Sequence, residues 1–343
     1  MKKLYIFIGL ITIASLLLAG CGGATTPAAT QAPATEIPTT AATEAPTMTE
    51  APTSAPTEAA TATQAPVVAS GLLATIQKRG YLLVSTDSNY EPYSIVDTSG
   101  KRPSDTKCPS DVLTTAEMKG FDVDVAAELG KRLGVETCLV TVDWAIITAG
   151  NWADKWDISV GSMTVTTGRQ KIFEFTSPYY YVPAGVAVTK DSGITSIDQL
   201  AGKPICVGES TDYEAWASND PSAPNSVPED SWLVKPPANM TVIPQSTDQE
   251  CAQAIKAGRK EFSAYATSTG VIASNITDGV PVVQLGGPIF LEPDAIAIDK
   301  AHSEDITSLV STLNDAVKAM HEDGTLTTLS MKWFKEDLTQ APK

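Results

Sequence analysis

Recognisable catalytic motifs are missing from this chain of 343 residues. It contains no Gly-x-Ser-x-Gly, His-Glu-x-x-His, P-loop or Gly-x-Gly-x-x-Gly segment, the local signatures of several large enzyme classes. Only two histidines are present, so imidazole catalysis and zinc binding have few candidate residues. We therefore expect a protein that is not an enzyme and that needs neither a cofactor nor a metal.

Positive charge is also scarce. The chain has 24 Lys and Arg against 40 Asp and Glu, which gives a formal net charge of −16. Loss of Lys2 and Lys3 with an N-terminal leader would make the charge −18 (−16 − 2). Such an excess disfavours binding to nucleic acid and adhesion to anionic lipid headgroups. A small anionic ligand stays open, because one well-placed arginine can dominate a local site.

The N-terminus has the organisation of a bacterial secretion signal. Lys2 and Lys3 precede an apolar run over 4–18, and the run ends in Leu18-Ala19-Gly20-Cys21. This ending resembles the lipobox of bacterial lipoproteins, which implies cleavage before Cys21 and a lipid on its thiol. An ordinary secretory signal with a chance cysteine is the alternative. We expect residues 1–20 to be a lipoprotein signal peptide, and the mature chain to lie lipid-anchored at the extracellular face of a membrane, or in a periplasm.

The segment that follows has the composition of a linker. Residues 22–70 contain seven prolines and no aromatic residue, lysine or arginine. Such a segment cannot bury enough apolar surface to offset its chain entropy. We expect residues 21–70 to form a lipidated cysteine and a Pro/Thr-rich linker. The remaining residues, 71–343, are numerous enough for two domains.

Four cysteines remain besides Cys21. They are Cys108, Cys138, Cys206 and Cys251, and none of them forms a closely spaced pair of the zinc-binding kind. In an extracellular chain, four cysteines indicate two disulfides, with three pairings open.

Strand and helix patterns alternate along the rest of the chain. Residues 81–86 have the pattern of a buried strand, and the apolar residues of 121–133 recur at helical spacing before Gly134. An apolar stripe predicts a further helix over 304–322, and a second short helix is predicted after Gly324. Short strands are predicted at 139–142, 158–160, 185–189, 204–208, 242–243, 282–285 and 295–298, and a helix over 211–217. This alternation predicts an α/β protein with largely parallel sheets. The polar segments 97–119 and 219–239 are predicted to be inserted loops.

An ordered series of short motifs lies between residues 85 and 180. Its members are Ser85-Thr86-Asp87-Ser88-Asn89-Tyr90, Gly120-Phe121-Asp122-Val123-Asp124, Gly161-Ser162-Met163-Thr164-Val165-Thr166-Thr167-Gly168-Arg169 and Phe175-Thr176-Ser177-Pro178-Tyr179. Asp-Gly-Thr-Leu at 323–326 and Lys-Trp-Phe at 332–334 follow later. The series resembles the solute-binding proteins of amino-acid ABC importers, the polar amino acid or family 3 group, over nearly all of 71–343.

The resemblance implies a two-lobed, periplasmic-binding-protein-like α/β fold of type II, with the ligand in the cleft between the lobes. Residues 71–181 plus 292–343 would form lobe I, and residues 182–291 lobe II. Two crossover hinge strands would join the lobes, the second near Gly286-Gly287-Pro288. A disulfide between the lobes would clamp this hinge. We therefore expect the pairs Cys108–Cys138 and Cys206–Cys251, each within one lobe.

The resemblance also implies a ligand set, and each residue type suits its expected role. Arg169 would hold a carboxylate in a bidentate fork, with Ser162 and Thr164 beside it. Ser210 and Thr211 open a helix, whose N-terminus favours an anion.

Three further residues complete the expected ligand set. Tyr90 and Trp144 would sandwich the ligand's side chain, although a core role is open for both. Asp87 would reach a polar or cationic group of the ligand.

One position departs from the family pattern. The resemblance places Ser268 where the family has an aspartate that pairs with the ligand's ammonium. An unpaired buried ammonium is costly. The ligand is therefore either not a standard α-amino acid, or Asp87 takes over the ammonium.

We expect the chain to be a monomer that binds an amino acid or related small carboxylate and presents it to an ABC permease. One alternative is a sensory domain for a signalling partner, although we expect no signalling module beyond residue 343. Another is a cyclic-acid dehydratase on the same fold, which would need Asp87 or Glu209 as its acid or base.

Overall fold

The computed structural model describes residues 69–341. The predicted signal peptide, Cys21 and nearly all of the predicted linker lie outside these residues. Within 69–341, no helix is long and apolar enough to cross a membrane.

The described residues form eight α-helices and three short 3-10 helices. The α-helices are α1 (Gly71–Arg79), α2 (Phe121–Leu133), α3 (Trp144–Thr148), α4 (Asp212–Ala217), α5 (Asp248–Lys256), α6 (Thr269–Thr277), α7 (Thr307–Glu322) and α8 (Thr325–Phe334). The 3-10 helices span Arg169–Lys171, Ile197–Leu200 and Glu229–Ser231.

Fourteen strands lie between and after the helices in the described range. They are β1 (Tyr81–Thr86), β2 (Asn89–Tyr90), β3 (Ser94–Val96), β4 (Leu113–Thr114), β5 (Met118–Lys119), β6 (Glu136–Thr141), β7 (Ile158–Thr164), β8 (Phe173–Phe175), β9 (Tyr180–Thr189), β10 (Pro204–Gly208), β11 (Thr241–Gln245), β12 (Ala264–Ser268), β13 (Val282–Gln284) and β14 (Phe290–Asp299).

Two long strands join the halves of the sheet. The strand order is β11-β10-β12-β9-β14-β7-β1-β6-β4, with β13 on β9 and β8 on β14. Residues 180–184 of β9 pair antiparallel with residues 290–294 of β14. Beyond this overlap β9 pairs with β12, and β14 pairs with β7 and β8. The chain therefore crosses between two α/β lobes at these paired segments, as the type II fold predicts.

Each lobe has its own apolar core. In lobe I, α2 covers the sheet with the predicted face, and Val125, Leu129 and Leu133 are buried. The helix ends at Gly134, whose left-handed φ of 73° a glycine adopts without steric cost. In lobe II, Trp216 of α4 is fully buried, and its indole N–H donates to the carbonyl of Val234.

Several predicted boundaries shift. The second crossover was expected near 286–288, but β14 begins at Phe290, after a bend at Gly286 with a φ of 72°. The helix predicted over 304–322 begins at Thr307. The segment 97–119 is not only loop, because it contains β4 and β5, and β4 pairs with β6.

Four helices were not anticipated, namely α1, α3, α5 and α6. Three of them have nine residues each and α3 has five, so each offers at most about two and a half turns of periodic signal.

Both expected disulfides are present, each within one lobe. Cys138 of β6 is bonded to Cys108 in the segment 97–119, and Cys206 of β10 is bonded to Cys251 of α5. Within the segment 97–119, the Arg102 guanidinium donates to the carbonyl oxygens of Cys108 and Val112, which stabilises the segment.

We predict that replacing Cys206 and Cys251 together with serine lowers the free energy of unfolding by about 4 kcal/mol, because the disulfide closes a long loop in the unfolded chain. The pair is separated by 45 residues, and both side chains are buried. Urea unfolding under oxidising and reducing conditions measures the change. The matched variant is Cys108→Ser with Cys138→Ser, whose separation is 30 residues. A reducing agent that leaves wild-type stability unchanged would contradict the prediction.

Candidate functional site

A cavity of about 40 Å³ lies between the two lobes, with room for a few water molecules. It sits beyond the carboxyl ends of β1, β10 and β11, where open α/β sheets bind ligands. Its lining residues are Asp87, Tyr90, Trp144, Gly161, Ser162, Thr164, Gly208, Thr211, Asp212, Tyr213, Ser246, Thr247, Asp248 and Glu292.

Asp87 and Tyr90 enter the cavity from the segment after β1. Asp87 accepts a hydrogen bond from the backbone N–H of Asn89 at 2.7 Å, which fixes its carboxylate. Burial raises the pKa of Asp87, and the carboxylate of Asp143 adds to the rise. The hydroxyl of Tyr90 lies 3.2 Å from that of Tyr213 in lobe II. Both residues therefore line the cavity, and Tyr90 also reaches the opposite lobe.

Ser162 and Thr164 come from β7, whose seven residues are all buried. The Ser162 hydroxyl donates to Asp122 at 2.7 Å, and the Tyr179 hydroxyl donates to the same carboxylate at 2.7 Å. Burial raises the pKa of Asp122 to about 7. Asp122, in the first turn of α2, does not line the cavity. It supports the site indirectly, because it accepts the hydrogen bond of Ser162, which does line the cavity.

Arg169 lies behind the cavity and does not line it. Its guanidinium donates to the carbonyl oxygens of Thr164 at 3.1 Å and of Ser210 at 3.0 Å. Its Nε–H is buried and has no hydrogen-bond partner among residues 69–341. The guanidinium carbon lies 5.4 Å from the ring centre of Trp144, a cavity residue. Arg169 thus links the two lobes and retains unused donors next to the cavity.

The predicted lobe II residues are arranged differently from the expectation. Thr211 lines the cavity as the N-cap of α4, and its hydroxyl donates to the carbonyl of Gly208. Ser210 does not line it, and its N–H donates to the carboxylate of Glu214. That N–H is therefore not free for an anion, contrary to the expectation for a helix start.

Ser268 also lies outside the cavity lining. It is fully buried, and its hydroxyl accepts from the N–H of Val271 as the N-cap of α6. Six of the nine predicted ligand residues therefore line the cavity, and Arg169, Ser210 and Ser268 do not. The ligand role of all nine remains a prediction.

Three carboxylates of the cavity were missed from the sequence. Asp212 and Asp248 are the first residues of α4 and α5, and Glu292 lies within the crossover strand β14. Burial raises the pKa of Asp212 and, well above the usual range, that of Glu292, where the charge of Asp212 adds to the rise. Asp248 accepts from the Gly208 N–H at 2.6 Å and the Thr267 hydroxyl at 2.9 Å.

A sequence signal for Asp248 was available. Thr247 and Glu250 have capping-box spacing before the apolar residues of α5. In the structure the Glu250 N–H donates to the Thr247 hydroxyl, and the Ser246 N–H donates to the Glu250 carboxylate. A helix start directly after the predicted strand 242–243 would have placed Asp248 at the cleft.

These acids widen the choice of charged groups at the cleft. The expectation for the ammonium considered only the Ser268 position and Asp87, whereas Asp212 and Asp248 of lobe II also line the cavity. Its lobe II part rested on the single stretch around Ser268, whereas the acids come from other helix starts. Of the two acids considered for a dehydratase, Asp87 lines the cavity, whereas Glu209 is exposed and does not line it.

Two α/β lobes, two antiparallel crossover strands and a polar cavity between the lobes define the class of two-lobed solute-binding proteins. Residues 82–336 match the family model described as bacterial extracellular solute-binding proteins, family 3. The match covers well over half of the chain, and the chain belongs to this family.

Characterised relatives agree with this assignment. The L-cystine-binding protein TcyJ of Escherichia coli K12 is 27% identical over 272 residues, 79% of this chain and 88% of its own. The L-cystine-binding protein TcyA of Bacillus subtilis is also 27% identical, over 78% and 87%. The solved structure of the ancestral amino acid-binding protein AncCDT-1, described as a precursor of cyclohexadienyl dehydratase, has 27% identity and a TM-score of 0.60, over 76% of this chain and 99% of its own.

We predict that Asp248 makes the folded protein less stable as the pH rises. Burial raises the pKa of Asp248 to about 7, whereas an unfolded aspartate has a pKa of about 3.9. Between these values the folded state binds more protons, so the free energy of unfolding falls as the pH increases.

Thermal unfolding of wild type and Asp248→Asn between pH 5 and pH 8 tests this, and the variant should lose less stability over that interval. Asn can accept from the Gly208 N–H and donate to the Thr267 hydroxyl. Glu322→Gln is the surface control, because Glu322 is 67% exposed. Equal pH dependence in wild type and Asp248→Asn would contradict the prediction.

Proposed function

We propose that this chain is the membrane-anchored solute-binding component of an ABC importer, and that its ligand is an amino acid or a related small carboxylate. Family membership and the names of the relatives support this proposal. The ligand would lie in the cavity between the lobes, with its carboxylate directed to Arg169.

The state of Arg169 is the observation that carries the proposal. A guanidinium has five N–H donors in a fixed plane, suited to a carboxylate. Arg169 is only 3% exposed, and the two side-chain hydrogen bonds it makes within the described residues go to backbone carbonyls. Its buried Nε–H has no partner there, although an unsatisfied buried donor is costly. A ligand carboxylate at the Trp144 side would satisfy it.

Closure of the lobes would couple binding to delivery. Side chains already join the lobes across the cleft: Arg169 donates to Ser210, and the Thr166 hydroxyl donates to the Pro224 carbonyl at 2.6 Å. A ligand held by both lobes shifts the open–closed equilibrium by its differential affinity for the closed form. The closed form would then be presented to the permease.

The N-terminal segment would keep the binding domain near that permease. The Leu-Ala-Gly-Cys ending at 18–21 supports lipid attachment to Cys21. The Pro/Thr-rich composition of 22–70 supports an extended linker, which would let the two lobes reach a partner in the same membrane.

We predict that Arg169→Ala weakens amino-acid binding at least ~30-fold, because truncating one member of a buried charged pair costs roughly 2–5 kcal/mol. Native mass spectrometry of the detergent-extracted full chain, with a thermal-shift panel of the twenty amino acids and L-cystine, identifies the ligand. Isothermal titration of wild type and variant then gives the affinities.

Arg169→Lys is the matched variant, because lysine keeps the charge and loses the planar fork. Its affinity should lie between those of wild type and Arg169→Ala, and circular dichroism checks that both variants fold. If no compound of the panel binds wild type, or if a folded Arg169→Ala binds as tightly, the proposed site is wrong.

We predict that Cys21→Ser releases the mature chain from the membrane. The full-length chain is expressed in a bacterium and its cell fractions are probed. Wild type should sediment with membranes and the serine variant should not, since its side chain lacks the thiol. Cys108→Ser with Cys138→Ser is the control, and it should still sediment with membranes. Membrane association of Cys21→Ser would exclude anchoring through this cysteine.

A further inference from the structure

One hydroxyl proton serves two carboxylates at the centre of the cleft. The Thr164 hydroxyl lies 2.9 Å from Asp212 Oδ2 and 3.3 Å from Glu292 Oε2. A threonine hydroxyl has a single proton to donate. One of the two carboxylate oxygens is therefore without a proton from Thr164 at any moment, although both side chains are at least 97% buried.

A hydrogen bond to one carboxylate oxygen of Glu292 leaves its other oxygen, Oε2, in the cleft. The Tyr213 hydroxyl donates to Glu292 Oε1 at 2.8 Å, and the Tyr90 hydroxyl lies 3.2 Å from that of Tyr213. Oε1 is thus fixed by a tyrosine from lobe II, and Oε2 remains for Thr164 or for a ligand. Glu292 and Asp212 both line the cavity.

A third carboxylate stands beside this pair. Asp294 lies opposite Thr164 in the β14–β7 register. It is fully buried, and neither of its carboxylate oxygens has a hydrogen-bond partner within residues 69–341. Burial raises the pKa of Asp294 well above its usual range, and the charge of Asp212 adds to the rise.

Arg169 is a cation that acts on these groups. Burial raises the pKa values of Asp212 and Asp294, and the charge of Arg169 lowers both pKa values by less. The side-chain hydrogen bonds of Arg169 within residues 69–341 go to backbone carbonyls and not to these carboxylates. The cavity lining contains four acids and no Lys, Arg or His. The ion pairs found within residues 69–341 involve neither Asp212, Glu292 nor Asp294. No group of three or more His, Cys, Asp or Glu in that range has a metal-binding arrangement. A buried carboxylate pair with one shared proton donor suits an organic cation better than a metal ion.

We propose that Glu292, together with Asp212 and the Thr164 hydroxyl, forms the cation subsite of the cleft and holds the ammonium group of the ligand. This inference rests on the proposed function, since it assigns the second end of the ligand whose carboxylate Arg169 holds. It places the ammonium partner in a crossover strand and at the start of α4, and not at Ser268.

The subsite combines residues from both lobes and from a crossover strand. Thr164 belongs to lobe I, Asp212 to lobe II, and Glu292 to the crossover strand between them. Burial, and after it the charge of Asp212, raise the pKa values of Glu292 and Asp294. An ammonium that contacts Thr164, Asp212 and Glu292 would offset this repulsion between the carboxylates. Ligand binding would then release protons, because a nearby cation favours the ionised carboxylates.

The test compares two ligands on two proteins. The amino acid that gives the largest thermal shift with the full chain is paired with its amine-free counterpart, the same compound with hydrogen in place of the amino group. Titration calorimetry gives both affinities for wild type and for Glu292→Gln. Glutamine is isosteric and still accepts from the Tyr213 hydroxyl.

We predict that Glu292→Gln weakens binding of the amino acid ~10–100-fold, because hydrogen bonds to charged groups contribute about 1.5–3 kcal/mol. Binding of the amine-free counterpart should change less than ~3-fold, since that compound has no cation for Glu292 to hold. Titrations in two buffers of different ionisation enthalpy should show fewer protons released by the variant than by wild type. Glu174→Gln, an exposed lobe I change, is the control and should match wild type.

The outcomes separate this inference from the function on which it rests. If no amino acid binds wild type, the proposed function itself fails. If an amino acid binds and Glu292→Gln weakens both compounds equally, or neither, the cation subsite is overturned while the amino-acid site at Arg169 stands. Thermal unfolding of Glu292→Gln without ligand checks that the variant folds.

Discussion

The antiparallel pairing of two crossover segments is the constraint on which the rest of this structure depends. Residues 180–184 and 290–294 are the only stretch where the two halves of the main sheet share strands within the described chain. Each crossover strand then continues into a different lobe. The paired strands fix how the two lobes are aligned. The cleft lies between the strand ends, and both lobes contribute polar groups to it. Each disulfide stays within one lobe, so neither bond opposes a hinge motion.

The same pairing sets the chemistry of the cleft. In β14, Glu292 and Asp294 point to the same side because strand side chains alternate. Asp294 lies opposite Thr164 of β7 in the register, and the Thr164 hydroxyl lies 3.3 Å from Glu292 Oε2. This crossover strand thus brings one carboxylate, Glu292, into the cavity lining and a second, Asp294, beside it. Arg169 reaches the carbonyl of Ser210 from the other lobe. Positive and negative groups therefore lie on different elements, which suits a ligand that has both a carboxylate and a cation.

Much of the fold could be predicted from the sequence because its signals are local. The strand at 81–86, the helix at 121–133 and the strand at 204–208 were predicted with the bounds that the structure has. The motif series placed Asp87, Tyr90 and Trp144 at the cavity. Glu292 could not be found in this way, because its position depends on the pairing of strands more than a hundred residues apart. Asp212 was missed for a different reason. An acid in the first turn of a helix complements the helix dipole, so its presence there does not by itself indicate a binding site.

The surplus of acids gives the cleft a property that a neutral cavity would lack. Bringing Asp212 of lobe II against Glu292 and Asp294 removes three carboxylates from water, and burial of unpaired charge is costly. Burial raises the pKa values of Asp212, Glu292 and Asp294 and so favours their protonated forms, although the charge of Arg169 opposes this at Asp212 and Asp294. In the proposed cation subsite, a solute with an ammonium group would replace those protons and lower the free-energy cost of closure. An anion without an amine would gain only the contact with Arg169 and would leave the acids to be protonated. Selectivity for the solute and closure of the lobes would then arise from the same free-energy difference, so a compound that fails to neutralise the acids would also fail to hold the lobes closed.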